Sequence, residues 1–227
     1  MAAPAKSSRK PDLIGQGFYD IPQAARLLGI HQNTLRYWLG ETPGQGAIVT
    51  RKFPSTEMLT FAELMELHFV KIFRDEEVSL QTIRKAAQVA SEKFRSEYPF
   101  TVKRFDTDGR SIFATLIGKE SDREIVEELK HGQRVFSTII RPFFRKLRYD
   151  GKSLGEFWPL GTNGRIVLDP MRRHGQPIDS ETGIPVDTII DSIKAGGGQD
   201  ANVVAKWLDI PMEAVQAAIQ FDKSLTA

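Results

Sequence analysis

The sequence predicts a mainly α-helical protein with small β elements, in the α+β class. Three features predict it: a pair of short helices near the N-terminus, longer amphipathic helices from residue 60 onward, and short β-branched runs bounded by turns. The 227 residues suffice for one large domain or for two to three small ones.

The amino-acid composition excludes several kinds of protein. The chain is 41% hydrophobic and 26% charged, which is typical of a soluble globular protein. No apolar run approaches membrane-spanning length, and no signal-peptide pattern opens the chain. The absence of cysteine excludes disulfides and thiolate metal sites. We therefore expect a cytoplasmic protein with no membrane partner.

The net charge of +2 is distributed unevenly. Residues 1–55 carry +4, residues 56–98 carry −2, residues 99–165 carry +4 and residues 166–227 carry −4. The basic segments suit a polyanion and the acidic C-terminal segment does not. The two ends of the chain are therefore expected to have different partners.

Residues 20–40 predict a helix-turn-helix. Asp20 can cap the first helix, and Gly29 permits a left-handed residue at the turn. In the second helix, apolar residues recur at helical spacing and are expected to face inward; they are Leu35, Trp38 and Leu39.

The outer face of the second helix predicts DNA binding. Amide side chains can read base edges in the major groove, while arginine and tyrosine can hold phosphates. The predicted DNA-binding side chains of this helix are Gln32, Asn33, Thr34, Arg36 and Tyr37. Two packed helices of an ordinary bundle would explain the apolar spacing equally well, but would explain this polar, cationic face less well.

A wing and a basic arm flank this unit. The β-branched run at residues 47–50 predicts a strand, and Arg51 and Lys52 after it are typical of a wing that contacts phosphates. Residues 1–15 are predicted to be a flexible basic arm in which Lys6, Arg9 and Lys10 are candidate DNA contacts. A plain solvated tail explains the arm at least as well.

Two longer helices should follow. Thr60 and Glu63 form a capping-box pattern that opens the first, and Ser79 can cap the second, which runs from Leu80 to about Phe94.

The order Y-D-I-P-Q-A-A-R-L-L-G-I, T-L-R-Y-W, L-T-F-A-E-L and V-S-L-Q-T-I-R resembles the winged helix of the MerR family of regulators over about residues 18–95. The resemblance implies that Arg36 and Tyr37 contact the DNA backbone and that Arg51 is the wing arginine. The chain departs from the family pattern at Glu77, where glycine is common, and at His31, a weak helix cap. Pro99 also ends the helical pattern where MerR dimers continue into a long coiled-coil helix.

The central segment, residues 99–165, is expected to be an α+β connecting or dimerising module. The pattern predicts a hairpin over residues 100–117 with an Asp-Gly turn, a helix from Ser121 to about Gly132, and strands at residues 133–142 and 165–168. Aromatic and cationic residues alternate over residues 143–149. Such a run can bind nucleic acid, although a half-buried edge with solvated cations is more usual.

The C-terminal segment repeats the N-terminal pattern. Residues 205–219 align without gaps on residues 25–39, and the inward positions match in kind. A second helix-turn-helix is therefore predicted. Its outer positions carry no cation, which favours protein binding over DNA binding; these positions are Met212, Glu213, Gln216 and Ala217.

The runs G-I-P-V-D-T-I-I-D and V-A-K-W-L-D-I-P-M-E-A-V-Q-A-A-I resemble the small helical domain of uncharacterised VapB-type antitoxins over about 55 residues. The resemblance implies a PIN-like ribonuclease toxin as partner, and longer members of the family carry a MerR-like region at the front, as this chain does. The candidate partner-binding residues are Trp207, Met212, Glu213, Gln216 and Phe221.

No catalytic pattern accompanies these units. The four histidines have no paired spacing, and the glycine-rich runs lack the lysine of a phosphate-binding loop. We therefore expect no enzyme, no cofactor and no metal. The expected domains are residues 16–98 for DNA binding, 99–165 for the central module and 166–227 for the antitoxin-type unit.

These features together predict a DNA-binding antitoxin of a type II toxin-antitoxin system. It would bind and neutralise a PIN-like toxin and, as a homodimer on double-stranded operator DNA, repress its own operon. One alternative is a MerR-like, ligand-responsive transcription regulator without a toxin partner, with residues 99–165 as sensor. Another is an interaction adaptor whose first unit is only a scaffold.

Overall fold

The structure is a computed structural model that describes residues 15–41, 46–118, 123–151, 153–195 and 201–226. Its helices are α1 (Ile21–Leu28), α2 (Gln32–Trp38), α3 (Phe61–Asp75), α4 (Leu80–Phe94), α5 (Phe105–Ile117), α6 (Arg123–Val135), α7 (Arg141–Phe143), α8 (Val186–Ala195), α9 (Ala201–Leu208) and α10 (Met212–Thr226). Three antiparallel strand pairs accompany them: β1 (Phe18–Asp20) with β2 (Met58–Thr60), β3 (Leu147–Asp150) with β4 (Ser153–Phe157), and β5 (Ile166–Val167) with β6 (Ile178–Asp179). The prediction of a mainly α protein with small β elements is confirmed.

Helices α1 and α2 form the expected helix-turn-helix. Asp20 caps α1 because its carboxylate accepts a hydrogen bond from the backbone N–H of Gln23 at 2.7 Å. Gly29 ends α1 with a φ of 62°, the left-handed conformation that its position predicts. The ring of His31 accepts from the N–H of Asn33 at 3.2 Å and so caps α2. The inward-facing residues Leu35, Trp38 and Leu39 are all buried.

The strand predicted at residues 47–50 does not form, and that prediction is wrong. The backbone N–H of Ile48 donates to the carbonyl of Trp38 at 2.8 Å, so the segment is tied to the end of α2 and not to a neighbouring strand. The wing is an irregular loop over residues 46–57, followed by β2.

The predicted caps of the next two helices are present. Thr60 and Glu63 form a capping box at α3, in which the Glu63 carboxylate accepts from the N–H of Thr60 at 2.5 Å. Ser79 caps α4 by accepting from the N–H of Thr82 at 3.2 Å. Between the helices, Glu77 adopts a φ of 62°, where a side chain is strained and glycine is favoured. The left-handed conformation therefore occurs at the position where the resemblance to MerR-family regulators leads one to expect glycine.

The hairpin predicted over residues 100–117 is wrong. A short 3-10 turn at Pro99–Thr101 leads into α5, and the Asp-Gly pair lies inside that helix. A Cβ atom added at Gly109 would lie 2.2 Å from the ring of Phe136. The glycine therefore allows two helices to pack closely, and it does not make a turn.

The strand predicted at residues 133–142 is also wrong. Helix α6 continues into a π-helical segment at Phe136–Ile140 and then into α7. The buried side chains Phe136, Ile140 and Phe143 recur at intervals of four and three, the spacing of a helix face. Packing of that face on α3 and α5 outweighs the strand propensity of the β-branched residues between them.

Aromatic rings join the central segment to α3. The ring of Phe69 lies 5.2 Å from those of both Phe143 and Phe144, measured between centroids. Both of these central rings are buried while Arg145 is exposed, which agrees with the half-buried edge considered for residues 143–149. One hydrophobic core runs from Tyr19 to Phe221, so the division at residues 98/99 and 165/166 stays a prediction.

Candidate DNA interface and partner-binding surface

The N-terminal end of α2 presents the amides predicted to read bases. Gln32 and Asn33 are exposed, and neither side chain makes a hydrogen bond within the described residues. Thr34 is half-buried on the next position of the helix. Tyr37 is half-buried and packs against the core. Within the described residues, these two amides are therefore open to a ligand such as a base edge.

The two predicted phosphate-binding arginines are held by carboxylates of the same chain. Arg36 donates from Nη1 to Glu41 at 2.8 Å and from Nη2 to Glu57 at 3.0 Å. Nη2 of Arg51 lies 3.2 Å from the second carboxylate oxygen of Glu41. Hydrogen bonds to Glu41 and then Glu57 hold the pKa of Arg36 above its usual value. These contacts fix the wing loop to the recognition helix.

Arg51 also makes hydrogen bonds to the backbone of the wing. Its guanidinium also donates to the carbonyl oxygens of Pro54 at 3.1 Å and Thr56 at 2.8 Å. A planar guanidinium with five donors can hold a loop in this way and retain a donor for phosphate. Lys52, by contrast, is exposed, and its Nζ donates to the amide oxygen of Gln16 at 3.0 Å. Among the predicted wing cations, Lys52 has no carboxylate partner within the described residues.

Glu63 holds the wing in place, although the sequence pattern identified it only as part of a helix cap. Its fully buried carboxylate accepts hydrogen bonds from the backbone N–H of Lys52, from the hydroxyl of Thr60 at 2.9 Å and from the hydroxyl of Tyr98 at 3.1 Å. Burial, and after it the charge of Glu63, raise the pKa of Tyr98. The side chain therefore anchors the base of the wing to α3 and to the start of the central segment.

The predicted second helix-turn-helix is present at α9 and α10. The N–H of Ile210 donates to the carbonyl of Ala205 at 3.0 Å, as the N–H of Ile30 donates to that of Ala25 at 3.0 Å. Asp209 has a φ of 52° at the position where the first unit has Gly29. The inward residues Ala205, Ile210, Ala214, Val215 and Ala218 are buried.

The outer face of this second unit exposes apolar side chains together with the acid Glu213 and, on α9, Lys206. Trp207 is 72% exposed, and Val203, one helical turn before it, is 48% exposed. Glu213 and Gln216 are exposed, and Met212 is half-buried. Phe221 is only 3% exposed and lies in the core, so the structure does not place it on this surface. Val203 was missed, although its i, i+4 spacing to Trp207 could have indicated it.

Long-range contacts join the first unit to the C-terminal segment. Arg26, on the outer side of α1, donates to Asp187 of α8 at 2.9 Å and to Asp222 of α10 at 2.5 Å. The hydroxyl of Tyr19 donates to the carbonyl of Gly175 at 2.6 Å. Pairs separated by more than 150 residues cannot be inferred from local sequence patterns.

The predicted DNA contacts of the N-terminal arm lie outside the described residues; they are Lys6, Arg9 and Lys10. Within the described part of the chain, no three histidine or acidic side chains are grouped as a metal site would need. The same residues contain no helix that is both long and apolar enough to cross a membrane.

Each end of the chain matches a known protein family. Residues 19–89 match the family of MerR helix-turn-helix regulatory proteins, and residues 166–221 match a family described as a protein of unknown function, DUF433. The N-terminal unit is thus a MerR-type helix-turn-helix, as the sequence predicted.

A curated relative resembles nearly the whole chain. It is named "Putative antitoxin VapB45", comes from Mycobacterium tuberculosis, and is 25% identical over 88% of this chain and 94% of its own length. The crystal structure of Rv2018 from Mycobacterium tuberculosis has the same fold, with a TM-score of 0.71 at 18% identity over 88% of this chain and 96% of the other. The predicted resemblance to a VapB-type antitoxin with a MerR-like front is confirmed, and these similarities support a DNA-binding regulator or antitoxin.

Proposed function

We propose that this protein is the antitoxin and autorepressor of a type II toxin-antitoxin system. In this role it binds and neutralises a PIN-like ribonuclease toxin, represses its own operon as a homodimer, and performs no catalysis. One observation carries the proposal. A single chain holds two helix-turn-helix units with the same turn hydrogen bond, one with a polar, cationic outer face and the other with an exposed tryptophan and acids.

The DNA-binding role rests on the free groups of α2 and the wing. Gln32 and Asn33 enter the major groove and read base edges, while Lys52 holds a phosphate. Arg36 and Arg51 bind phosphates while they also hold the wing. Tyr37 and Thr34 are the remaining DNA-contacting side chains of the helix. The basic residues Lys6, Arg9 and Lys10 extend the contact along the duplex.

The partner-binding role rests on the exposed face of α9 and α10. A large aromatic side chain exposed beside another apolar residue is typical of an interface centre. Residues 166–227 carry a net charge of −4, which complements the basic cleft that a ribonuclease needs to hold RNA. Trp207 and Val203 therefore supply the apolar contact, and Glu213 supplies charge complementarity.

The proposal is tested on the product of the neighbouring gene and on DNA from upstream of this gene. We expect the full chain to stop RNA cleavage by that product at equimolar concentration. We also expect it to retard the upstream fragment, with an affinity that falls as salt rises.

Two outcomes would contradict the proposal. Absent or salt-independent DNA affinity would support an interaction adaptor. DNA binding without any effect on the neighbouring product would support the MerR-like, ligand-responsive regulator.

A further inference from the structure

A deep groove lies where the first helix-turn-helix, the central helices and the C-terminal helix meet. Its volume is about 1280 Å³. Residues 25–31 form one wall and include the turn between α1 and α2. Side chains of α3, residues 138–146 and the end of α10 form the others. Most of the lining is apolar, with Leu64 and Phe143 among its members.

His68 is a polar group on the α3 wall of this groove. Its ring stacks on that of Phe143 at 4.8 Å and meets the ring of Phe157 edge-on at 5.2 Å, measured between centroids. Burial, and after it the charges of Lys71 and Lys146, lower the pKa of His68 to about 3. The imidazole is therefore neutral, with one donor and one acceptor nitrogen. It makes no hydrogen bond to the described residues.

Two lysines lie near His68, and one of them gives this wall a positive charge that no carboxylate of the described residues compensates. Lys71 is neutralised by an ion pair with Asp75 on the next turn of α3. Lys146 donates from Nζ to the carbonyl oxygen of Pro159 at 3.0 Å and has no carboxylate partner within the described residues. Lys146 is half-buried on a mostly apolar wall, so its ammonium is screened less than that of a fully exposed lysine and can attract an anion.

We propose that this groove binds an amphipathic organic anion. Lys146 receives the carboxylate, phosphate or sulfonate of the ligand, and the protonated ring nitrogen of His68 donates a further hydrogen bond to it. The apolar body of the ligand lies along Leu64 and Phe143. The groove exceeds the usual 300–1000 Å³ of a small-molecule pocket, so the ligand has several rings or a long chain. An occupant touches residues 25–31 and thus the DNA-binding unit itself, which is a role beyond operator and toxin binding.

The test uses two fluorescent probes of nearly equal shape on the full chain. The probe 1-anilinonaphthalene-8-sulfonate carries one negative charge, and N-phenyl-1-naphthylamine carries none. We expect both to bind with one site per chain and with a blue-shifted emission. Lys146→Met should weaken the sulfonate probe about tenfold, because a charge-assisted hydrogen bond is lost. It should leave the neutral probe unchanged, which also reports that the groove is intact.

Three further variants decide where the probes bind. Lys194→Met removes an exposed lysine of α8 that does not line the groove and should change neither probe. Ser224→Trp places an indole at the rim and should weaken both probes. Trp207→Ser removes the exposed ring of α9 and should change neither. Loss of the sulfonate probe with Trp207→Ser, or equal affinity of wild type and Lys146→Met for it, would overturn the proposal.

Discussion

The two helix-turn-helix units have one geometry and two outer surfaces. In both, an isoleucine N–H closes the corner on an alanine carbonyl, and a residue with positive φ makes the turn. Among the described residues, the exposed outer groups of the first unit include the amides Gln32 and Asn33, and those of the second include Trp207 and Glu213. Inward residues therefore set the shape of the unit, and outward residues set what it can bind.

The units also differ in how their charges are arranged. The arginines of the first unit are paired with Glu41 and Glu57, which hold the wing in place before any DNA arrives. Within the described residues, the acidic groups Asp209 and Glu213 of the second unit have no ion-pair partner. In the proposed function, the first surface is held in place for a polyanion, and the second is open to a basic partner.

Removing the exposed ring of the second unit should have the largest effect. We expect Trp207→Ser to weaken partner binding about 100-fold, because a central aromatic contact contributes on the order of 2–4 kcal/mol. DNA affinity should not change. Met171→Ser is the matched control, since Met171 is 71% exposed but lies outside both units. Equal losses in the two variants, measured by calorimetric titration with the partner, would break the assignment of this surface.

Removing the arginine of the first unit should weaken DNA binding about tenfold or more. Arg36→Ala deletes a phosphate contact and also leaves Glu41 and Glu57 uncompensated near the phosphates. Adding Glu57→Gln should therefore restore part of the affinity in a gel-shift titration. Arg145→Ala serves as control because Arg145 is exposed outside this unit. A tenfold loss in that control would instead favour nucleic-acid binding by residues 143–149.

The turn residues should shift stability in opposite directions. Gly29→Ala should lower the free energy of unfolding by about 1 kcal/mol, because a side chain is strained at a φ of 62°. The position has room for a Cβ, since the nearest atom would lie 3.8 Å away. Asp209→Gly should raise it by about 0.5–1 kcal/mol by relieving the same strain. Urea unfolding of both variants measures these changes in the free energy of unfolding. A lower value in both variants would mean that the two turns are not equivalent.

The contact between the units should contribute least to stability. Arg26→Met removes the ion pairs to Asp187 and Asp222, but the Arg26 side chain is 43% exposed. Water screens such pairs, so we expect a loss below about 1 kcal/mol in unfolding free energy. The variant should also reduce the change in DNA affinity that partner binding causes. An unaltered coupling in a thermodynamic cycle would show that these ion pairs do not link the units.

Local signals predicted the units themselves. Asp20, Gly29 and the Thr60–Glu63 box each satisfy backbone groups within a few residues, so their patterns identify where helices begin and end. The internal repeat of residues 25–39 at residues 205–219 likewise predicted α9 and α10, because the inward positions of the two segments match in kind.

The predictions that failed are those in which tertiary contacts outweigh the local sequence pattern. The Asp-Gly pair predicted a hairpin, but Gly109 is required by the nearby ring of Phe136. Residues 47–50 predicted a strand, but Ile48 pairs with the end of α2. The hydrogen bond of Tyr98 to Glu63 and the ion pairs of Arg26 join residues 35, 161 and 196 positions apart, and no local pattern indicates them.

The most direct test of the division between the two units is a bridging measurement. The upstream DNA fragment is immobilised, the full chain is added, and the partner from the neighbouring gene follows. Wild type should retain the partner on the DNA. Trp207→Ser should bind DNA without the partner, and Arg36→Ala should bind the partner in solution but not the DNA. If both variants stay folded and each loses both activities, the two units do not have separate roles.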